Sequence, residues 1–329
     1  MNGVVFCNAL LKAFSNLILC AINLKLITMT QLILTDTSLD RELLALSNLL
    51  KDGQLHPDKH AEYSSIILKM HRHGNQEQVR ESLRGLRNEF PAIGSDKTMQ
   101  GLAFVKKHGY AGDYEIIDKI YTRWHSDNPE FRTWDQYFHN QTAPQAVRNR
   151  KDFFKETLRE LAQENTSDCI RVLNMASGPC RDILEFFEET GDNRFRFTCV
   201  ELDPNAIAYA KELLGIHADK VEFINQNIFR YKPESQYDLV WSAGLFDYFD
   251  DNTFTKILAR FTGQPYVIIG NFSDANPTSG YMEVIGEWYL NCRSAGLLRR
   301  LAKDAGFHKE HIRIKHEPTE VNLFLHIKK

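Results

Sequence analysis

From Asp168 onward, short β-rich runs alternate with helical stretches, and this rhythm limits the fold more than any other feature of the chain. "CIRVLNM", "FRFTCVEL", "KVEFIN", "YDLVWSA", "PYVIIGNF", "HIRIKHE" and "NLFLHIKK" read as strands. "NAIAYAKELL", "DNTFTKILARF" and "SAGLLRRLAKDAG" read as helices between them. Parallel neighbours need long crossovers, so strands separated by helices predict a mainly parallel sheet covered on both faces. The last two runs are joined only by Pro318, Thr319 and Glu320, too short for a crossover, and they predict an antiparallel hairpin.

The preceding part has a different character. Leucines in "SLDRELLALSNLL" recur at three- and four-residue steps, with Ser38 or Asp40 placed to cap the start. Helices are also predicted over "HAEYSSIILKMHRHG" and "NQEQVRESLRGLRNEF", closed by Gly74 and Pro91. Between Thr98 and Arg150 the chain turns aromatic, in "HGYAGDYEIIDKIYTRW" and "WDQYFHNQTAPQAVRNRK". So many aromatic rings are costly to leave in water, and the segment reads either as a domain interface or as a lid or pocket wall.

A chain of 329 residues with 43% apolar content can bury a large core, and a net charge of −3 with dispersed signs lacks the basic field of a nucleic-acid partner. Six cysteines (Cys7, Cys20, Cys169, Cys180, Cys199 and Cys292) form no CxxC pair and no zinc spacing. They fit reduced thiols, hence a cytoplasmic protein without disulfides or a metal. The first 29 residues are apolar but interrupted by Lys12, Asn8, Asn16 and Asn23, which argues against a membrane span. They read as a membrane-surface helix giving weak contact with lipid, a poorly packed leader, or an extension upstream of a natural start at Met29; the last is preferred.

Ligands of open α/β sheets bind outside the carboxyl ends of the strands, so the residues at those ends matter most. The first run breaks at "NMASGPC", where Ala176, Ser177 and Gly178 lead into a helix start suited to an anionic group. One glycine is a weak signal, and an ordinary tight turn explains it as well. Glu201 in "VELDP" follows Asn174 by 27 residues, where a carboxylate accepts both hydroxyls of a ribose. Its plain alternative is a solvated acid before a helix that Asp203 caps and Pro204 begins. Asn227 and Ile228 in "INQNIF" suit an adenine edge and face, and "WSAGLFDYF" places small residues before aromatics.

These residues, from about Val147 to Lys329, resemble class I S-adenosylmethionine-dependent methyltransferases. The resemblance implies a Rossmann-like seven-stranded α/β sheet ending in an antiparallel hairpin, preceded here by a helical N-terminal domain. It assigns S-adenosylmethionine as cofactor, with Asn174, Ala176, Ser177, Gly178, Glu201, Leu202, Asn227, Ile228, Ser242 and Gly244 as its contacts. Asn174, Ala176, Gly178 and Cys180 stand where the family carries an acid and three glycines, so the first motif is degenerate. The expected organisation is a leader over 1–29, a helical cover over 30–146 and the cofactor domain over 147–329.

A narrower resemblance lies in "HGYAGDYEIIDKIY", "APQAVRNRKDFF", "ASGPCRDI" and "NFSDANPTSGYMEVIGEWYLNCRSAGLLRRLA". These are similar to bacterial methyltransferases that make a 3-hydroxypalmitic acid methyl ester, which implies a fatty-acyl carboxylate as acceptor. An ionised carboxylate needs no general base, only cationic or hydrogen-bonding groups and an apolar channel. Arg148 and Arg150 are the candidate grips, and Tyr110, Tyr114, His139, Tyr248, Trp288 and Tyr289 the candidate walls. Arg148, His139 and Tyr248 are the expected catalytic set. A hydroxyl or amine acceptor would need a base, for which His139, Glu283 or Asp247 qualify. A degenerate fold acting as a nucleoside-binding sensor or scaffold stays open, as does a nucleotide-dependent oxidoreductase, which the absent G-x-G-x-x-G disfavours. Oligomeric state is not encoded in any of these signals.

Overall fold

Strands β1 (Ile170–Met175), β2 (Phe195–Glu201), β3 (Val221–Asn225), β4 (Leu239–Ser242), β5 (Tyr266–Phe272), β6 (Ile312–His316) and β7 (Asn322–Lys328) form one sheet in the order β3-β2-β1-β4-β5-β7-β6. The computed structural model describes residues 38–329, so the leader and the start at Met29 lie outside the described residues. β1 to β5 pair in parallel, while β7 runs antiparallel to both β5 and β6. This is the expected α/β Rossmann-like sheet with its closing hairpin.

The centre of the sheet is apolar on both faces, as a covered parallel sheet requires: every residue of β4 and β5 is buried. Val172, Trp241 and Phe324 face the helices Thr142–Glu164, Arg181–Thr190 and Pro204–Leu214. Leu173, Val240 and Leu325 face Asp251–Leu258 and Ala295–Asp304. Phe154 stacks on Trp241 with ring centres 4.5 Å apart. Asp203, Asp250 and Ser294 cap the helices that follow them, each accepting a hydrogen bond from a backbone N–H in the first turn.

The short link before β7 is organised by Glu317, which is 1% exposed. Its carboxylate accepts hydrogen bonds from the Thr319, Val321 and Asn322 amides, the Thr319 hydroxyl and Asn149 Nδ2. Burial works to raise its pKa, but these donors hold it below the ordinary glutamate value.

The helices Ser38–Lys51, His60–His71, Gln76–Glu89, Met99–Val105, Tyr114–Tyr121 and Pro129–Asn140 build a second core around Leu46, Tyr63, Leu83 and Trp134. Tyr281, Ile285 and Trp288, far along the chain, enter this same core. The helix Thr142–Glu164 runs unbroken across positions 146 and 147: Ala143, Ala146 and Val147 pack in the cover, while Phe154, Leu158 and Leu161 pack on the sheet. One helix therefore serves as the joint between both cores. Asp118 of the cover strengthens it by accepting from Arg181 Nη2 at 2.9 Å and from the Tyr209 hydroxyl at 2.7 Å.

Candidate active site

A cavity of about 980 Å³ opens where the carboxyl ends of β1, β2 and β4 meet the cover. After β1 the chain must turn sharply, and Ala176, Gly178 and Cys180 all take left-handed φ values of 52°, 56° and 57°. Only glycine adopts this without strain, so Ala176 and Cys180 hold a conformation costing of order 1–3 kcal/mol each. The degenerate positions thus keep a glycine-like backbone. A Cβ on Gly178 would meet no atom within 4 Å, and the buried Ser177 Oγ lacks a hydrogen-bond partner.

Glu201 ends β2 and is 8% exposed. One carboxylate oxygen accepts from the Gly178 amide at 3.0 Å, and the other from the Leu202 and Asp203 amides at 2.8 and 3.0 Å. It therefore staples the β1 loop to the β2 loop, a role its position in the sequence did not disclose. Asn227 spends its side-chain oxygen on the Phe229 amide at 2.9 Å, which leaves its NH₂ group for a ligand. Asn174, Ala176, Ser177, Gly178, Glu201, Leu202, Asn227, Ile228 and Gly244 all line the cavity. Ser242 does not: it is fully buried behind the wall, with its hydroxyl directed at Met175 O.

The opposite wall comes from the cover and from the chain after β5. Tyr110 donates to Asp203 Oδ2 at 3.0 Å. Trp288 Nε1 donates to the Tyr248 hydroxyl at 2.9 Å, which donates to Ala111 O, also at 2.9 Å. A Cβ on Gly112 would lie 2.6 Å from that hydroxyl and 2.8 Å from the Trp288 ring, so the strap carrying Gly112 must have glycine to come this close. Tyr114 and Tyr289 line the cavity as well. The aromatic segment serves both readings: Tyr110, Tyr114, Tyr121 and Phe138 line the cavity, while Trp134 and Tyr137 are buried in the core of the cover.

Residues 172–263 match the model of a methyltransferase domain family. The chain carries an S-adenosylmethionine-dependent methyltransferase domain. A possible exported protein from Bordetella parapertussis shares the fold at 16% identity, with 88% of this chain and 95% of that chain covered and a TM-score of 0.56. The methyltransferase (CMeT) domain of the citrinin polyketide synthase is similar at 15% identity, 75% and 68% coverage and a TM-score of 0.48. Magnesium protoporphyrin IX methyltransferase from Synechocystis PCC 6803 is similar at 10% identity, 57% and 88% coverage and a TM-score of 0.45. No curated protein matches the chain by sequence.

The methyltransferase cavity suits its donor: Glu201 lies at the β2 end, and Ser177 Oγ is a buried hydrogen-bonding atom still without a partner. The expected catalytic set is only partly there. Tyr248 lines the cavity, but its hydroxyl is committed to Trp288 and Ala111. His139 and Arg148 lie outside the lining. His139 Nε2 donates to Trp124 O at 2.7 Å, and Arg148 Nη2 donates to His139 O at 2.8 Å. Burial pushes His139 down to about 4 and, with the charge of Arg123, Arg148 to about 10. His139 is thus neutral and engaged at pH 7. Positions 148 and 150 sit roughly 200° apart around their helix, so only one of the two arginines can face the cavity. That one is Arg150.

Two carboxyl groups of the lining escaped the sequence reading or had only a minor part in it. Burial raises Asp182 to about 6, although the Ile183 amide and Lys151 oppose it. Burial raises Asp247 to about 7, against the Phe272 amide, Arg150 and Arg293. Of the three candidate bases, Asp247 alone lines the cavity: Glu283 is turned to His71 Nε2 at 3.1 Å. Met282 and Phe272 complete the apolar lining nearby. Among the described residues no helix is long and apolar enough to cross a membrane.

Proposed function

We propose that the protein transfers the methyl group of S-adenosylmethionine to the carboxylate of a small apolar acid, a fatty acid or 3-hydroxy fatty acid, giving a methyl ester. The observation that supports this most is the composition of the cavity. Its volume is at the upper end of small-molecule sites, roughly 300–1,000 Å³, and suits a donor plus a second molecule. Beyond the donor's contacts its wall carries the apolar Ile117, Ile120, Phe138, Val147, Phe272 and Leu290. Of the cations in the lining, Lys107 pairs with Glu115, whereas the buried Arg150 has no carboxylate in an ion pair among the described residues. When bound, the donor supplies an activated methyl and its own leaving group. The chain's task is alignment: Glu201, Asn227 and the β1 loop would hold the donor, while the apolar wall excludes water and orients the acceptor. A cytoplasmic setting suits the free thiols Cys169, Cys180, Cys199 and Cys292.

Transfer from methyl-labelled donor into a mixture of free and 3-hydroxy fatty acids tests the reading. Label extracted into organic solvent and released as methanol by mild alkali is the expected result. Label stable to alkali would refute the ester. No transfer by protein that binds the donor would favour a nucleoside-binding sensor or scaffold.

A hydroxyl acceptor is a second reading, favoured by Asp247 at about 7 in the cavity wall. As a base Asp247 must be ionised, so the rate with a hydroxyl acceptor would rise with pH through 7 and level off above it. A carboxylate acceptor is ionised throughout that range, and its kcat/KM profile is expected to lack this rise. Profiles between pH 5.5 and 9 on the acceptor identified by labelling separate the two.

A further inference from the structure

Four arginines are buried among the described residues: Arg87, Arg148, Arg150 and Arg293. Three have evident employment. Arg87 bonds Glu287 and the carbonyls of Val284 and Ile285. Arg148 bonds His139, and Arg293 bonds Asp251, Asn271 and three carbonyls. Arg150 differs. It is 7% exposed, its Nε has no hydrogen-bond partner, and among the described residues no carboxylate forms an ion pair with it.

Its direction is fixed by Gly244. A Cβ there would lie 2.6 Å from Arg150 Nη1, so the guanidinium rests against the glycine that follows β4 and faces the same cavity. The neighbours feel its charge without closing it in an ion pair. Tyr121 is buried beside it with its hydroxyl within reach of the guanidinium, and stays a phenol, lifted by burial to about 12 against the pull of Arg150. Asp182 and Asp247 line the cavity too and are drawn toward ionisation by the charge of Arg150, yet neither closes an ion pair with it. A buried guanidinium without a directly paired anion is unfavourable, and its planar fork matches a carboxylate or a phosphate.

We propose that Arg150 is the carboxylate seat of this cavity, held in place by the absence of a side chain at Gly244. The carboxylate has two sources, the methionyl part of the donor and the acceptor acid. The inference rests on the donor reading of the cavity, but the seat itself does not depend on which acceptor is methylated. Aspartate pairing elsewhere in the molecule shows what the alternative would look like: Arg181 is closed by Asp118, and so has no charge left to offer a ligand.

Calorimetry on the full chain and on Arg150→Met tests it with two matched pairs of probes. The first pair is S-adenosylmethionine and its decarboxylated analogue; the second is dodecanoate and dodecanol, each added to donor-saturated protein. A seat for the donor predicts that Arg150→Met weakens S-adenosylmethionine by about 10- to 100-fold and leaves the decarboxylated analogue unchanged. A seat for the acceptor predicts the same loss for dodecanoate alone, with dodecanol and the donor unchanged. Gly244→Ala keeps the charge but displaces Nη1, and is expected to move the same pair in the same direction by a smaller factor. It also covers the case in which Arg150→Met does not fold. Unchanged ratios in both pairs, in a variant with the wild-type melting temperature, would overturn the proposal. Wild-type protein that binds no S-adenosylmethionine would instead defeat the donor reading, and the dodecanoate pair, added without donor, would then decide the fate of Arg150.

Discussion

Replacing Glu201 with alanine is expected to weaken S-adenosylmethionine binding by about 1.5–3 kcal/mol, roughly one to two orders of magnitude in Kd, the worth of hydrogen bonds to a charged group. The carboxylate has two tasks, and both point the same way. It stands at the β2 end, where we propose that it holds the donor's ribose, and it already accepts from the amides of Gly178, Leu202 and Asp203. Alanine would leave those three amides without their acceptor and release the strained Ala176–Cys180 loop from its left-handed path. Glu201→Gln sorts the two contributions. It keeps one oxygen for the staple, but its NH₂ group cannot accept, so the loss should be smaller in thermal stability than in donor affinity. Calorimetric titration and a melting curve for both variants provide the check. Unchanged affinity in Glu201→Ala would remove this residue from the site.

Much of the sheet was legible because covered parallel strands are locally explicit: each reads as a short β-rich run, and β2 is followed by a capped helix at Asp203-Pro204, although the helix after β1 has no side-chain cap and β3 leads to β4 without a helix. The closing hairpin followed from a link too short to cross. The donor loop was legible only as a weak turn, since Ala176 and Cys180 reach left-handed φ without the glycines that would have advertised it. The cover was harder. Tyr281 and Trp288 complete a core begun more than two hundred residues earlier at Tyr63, and periodicity carries no information about such distant partners. The same limit explains the arginines. Two basic residues two apart look equivalent in a sequence, whereas helical geometry gives one to the cavity and turns the other to His139. For Asp247, nothing local announces that Phe272 will lend its amide at 2.7 Å while burial raises the carboxyl to about 7.

Arg293→Met is expected to destabilise the fold by about 3–5 kcal/mol, the summed cost of several buried acceptors left without their donor. The side chain is 1% exposed and holds four stretches of chain at once. Nη1 donates to Phe246 O at 3.0 Å, Asn271 Oδ1 at 2.7 Å and Asn291 O at 3.2 Å, Nη2 donates to Phe249 O, and Nε meets Asp251 at 2.9 Å. Methionine fills much of the volume but satisfies none of these acceptors, so their desolvation is left uncompensated. The turn it holds carries Asp247, Tyr248 and Phe249, all in the cavity wall. Loss of the arginine should therefore loosen the Tyr248–Ala111 latch and raise KM before the protein unfolds. Arg293→Lys keeps a charge without the planar fork and should fall between the two in stability. Urea unfolding measures the effect, with the midpoint shifting while the slope stays constant. A change below about 1 kcal/mol would mean that water replaces the guanidinium at these carbonyls, and that the turn is held by the sheet and the Phe246–Phe254 ring contact alone.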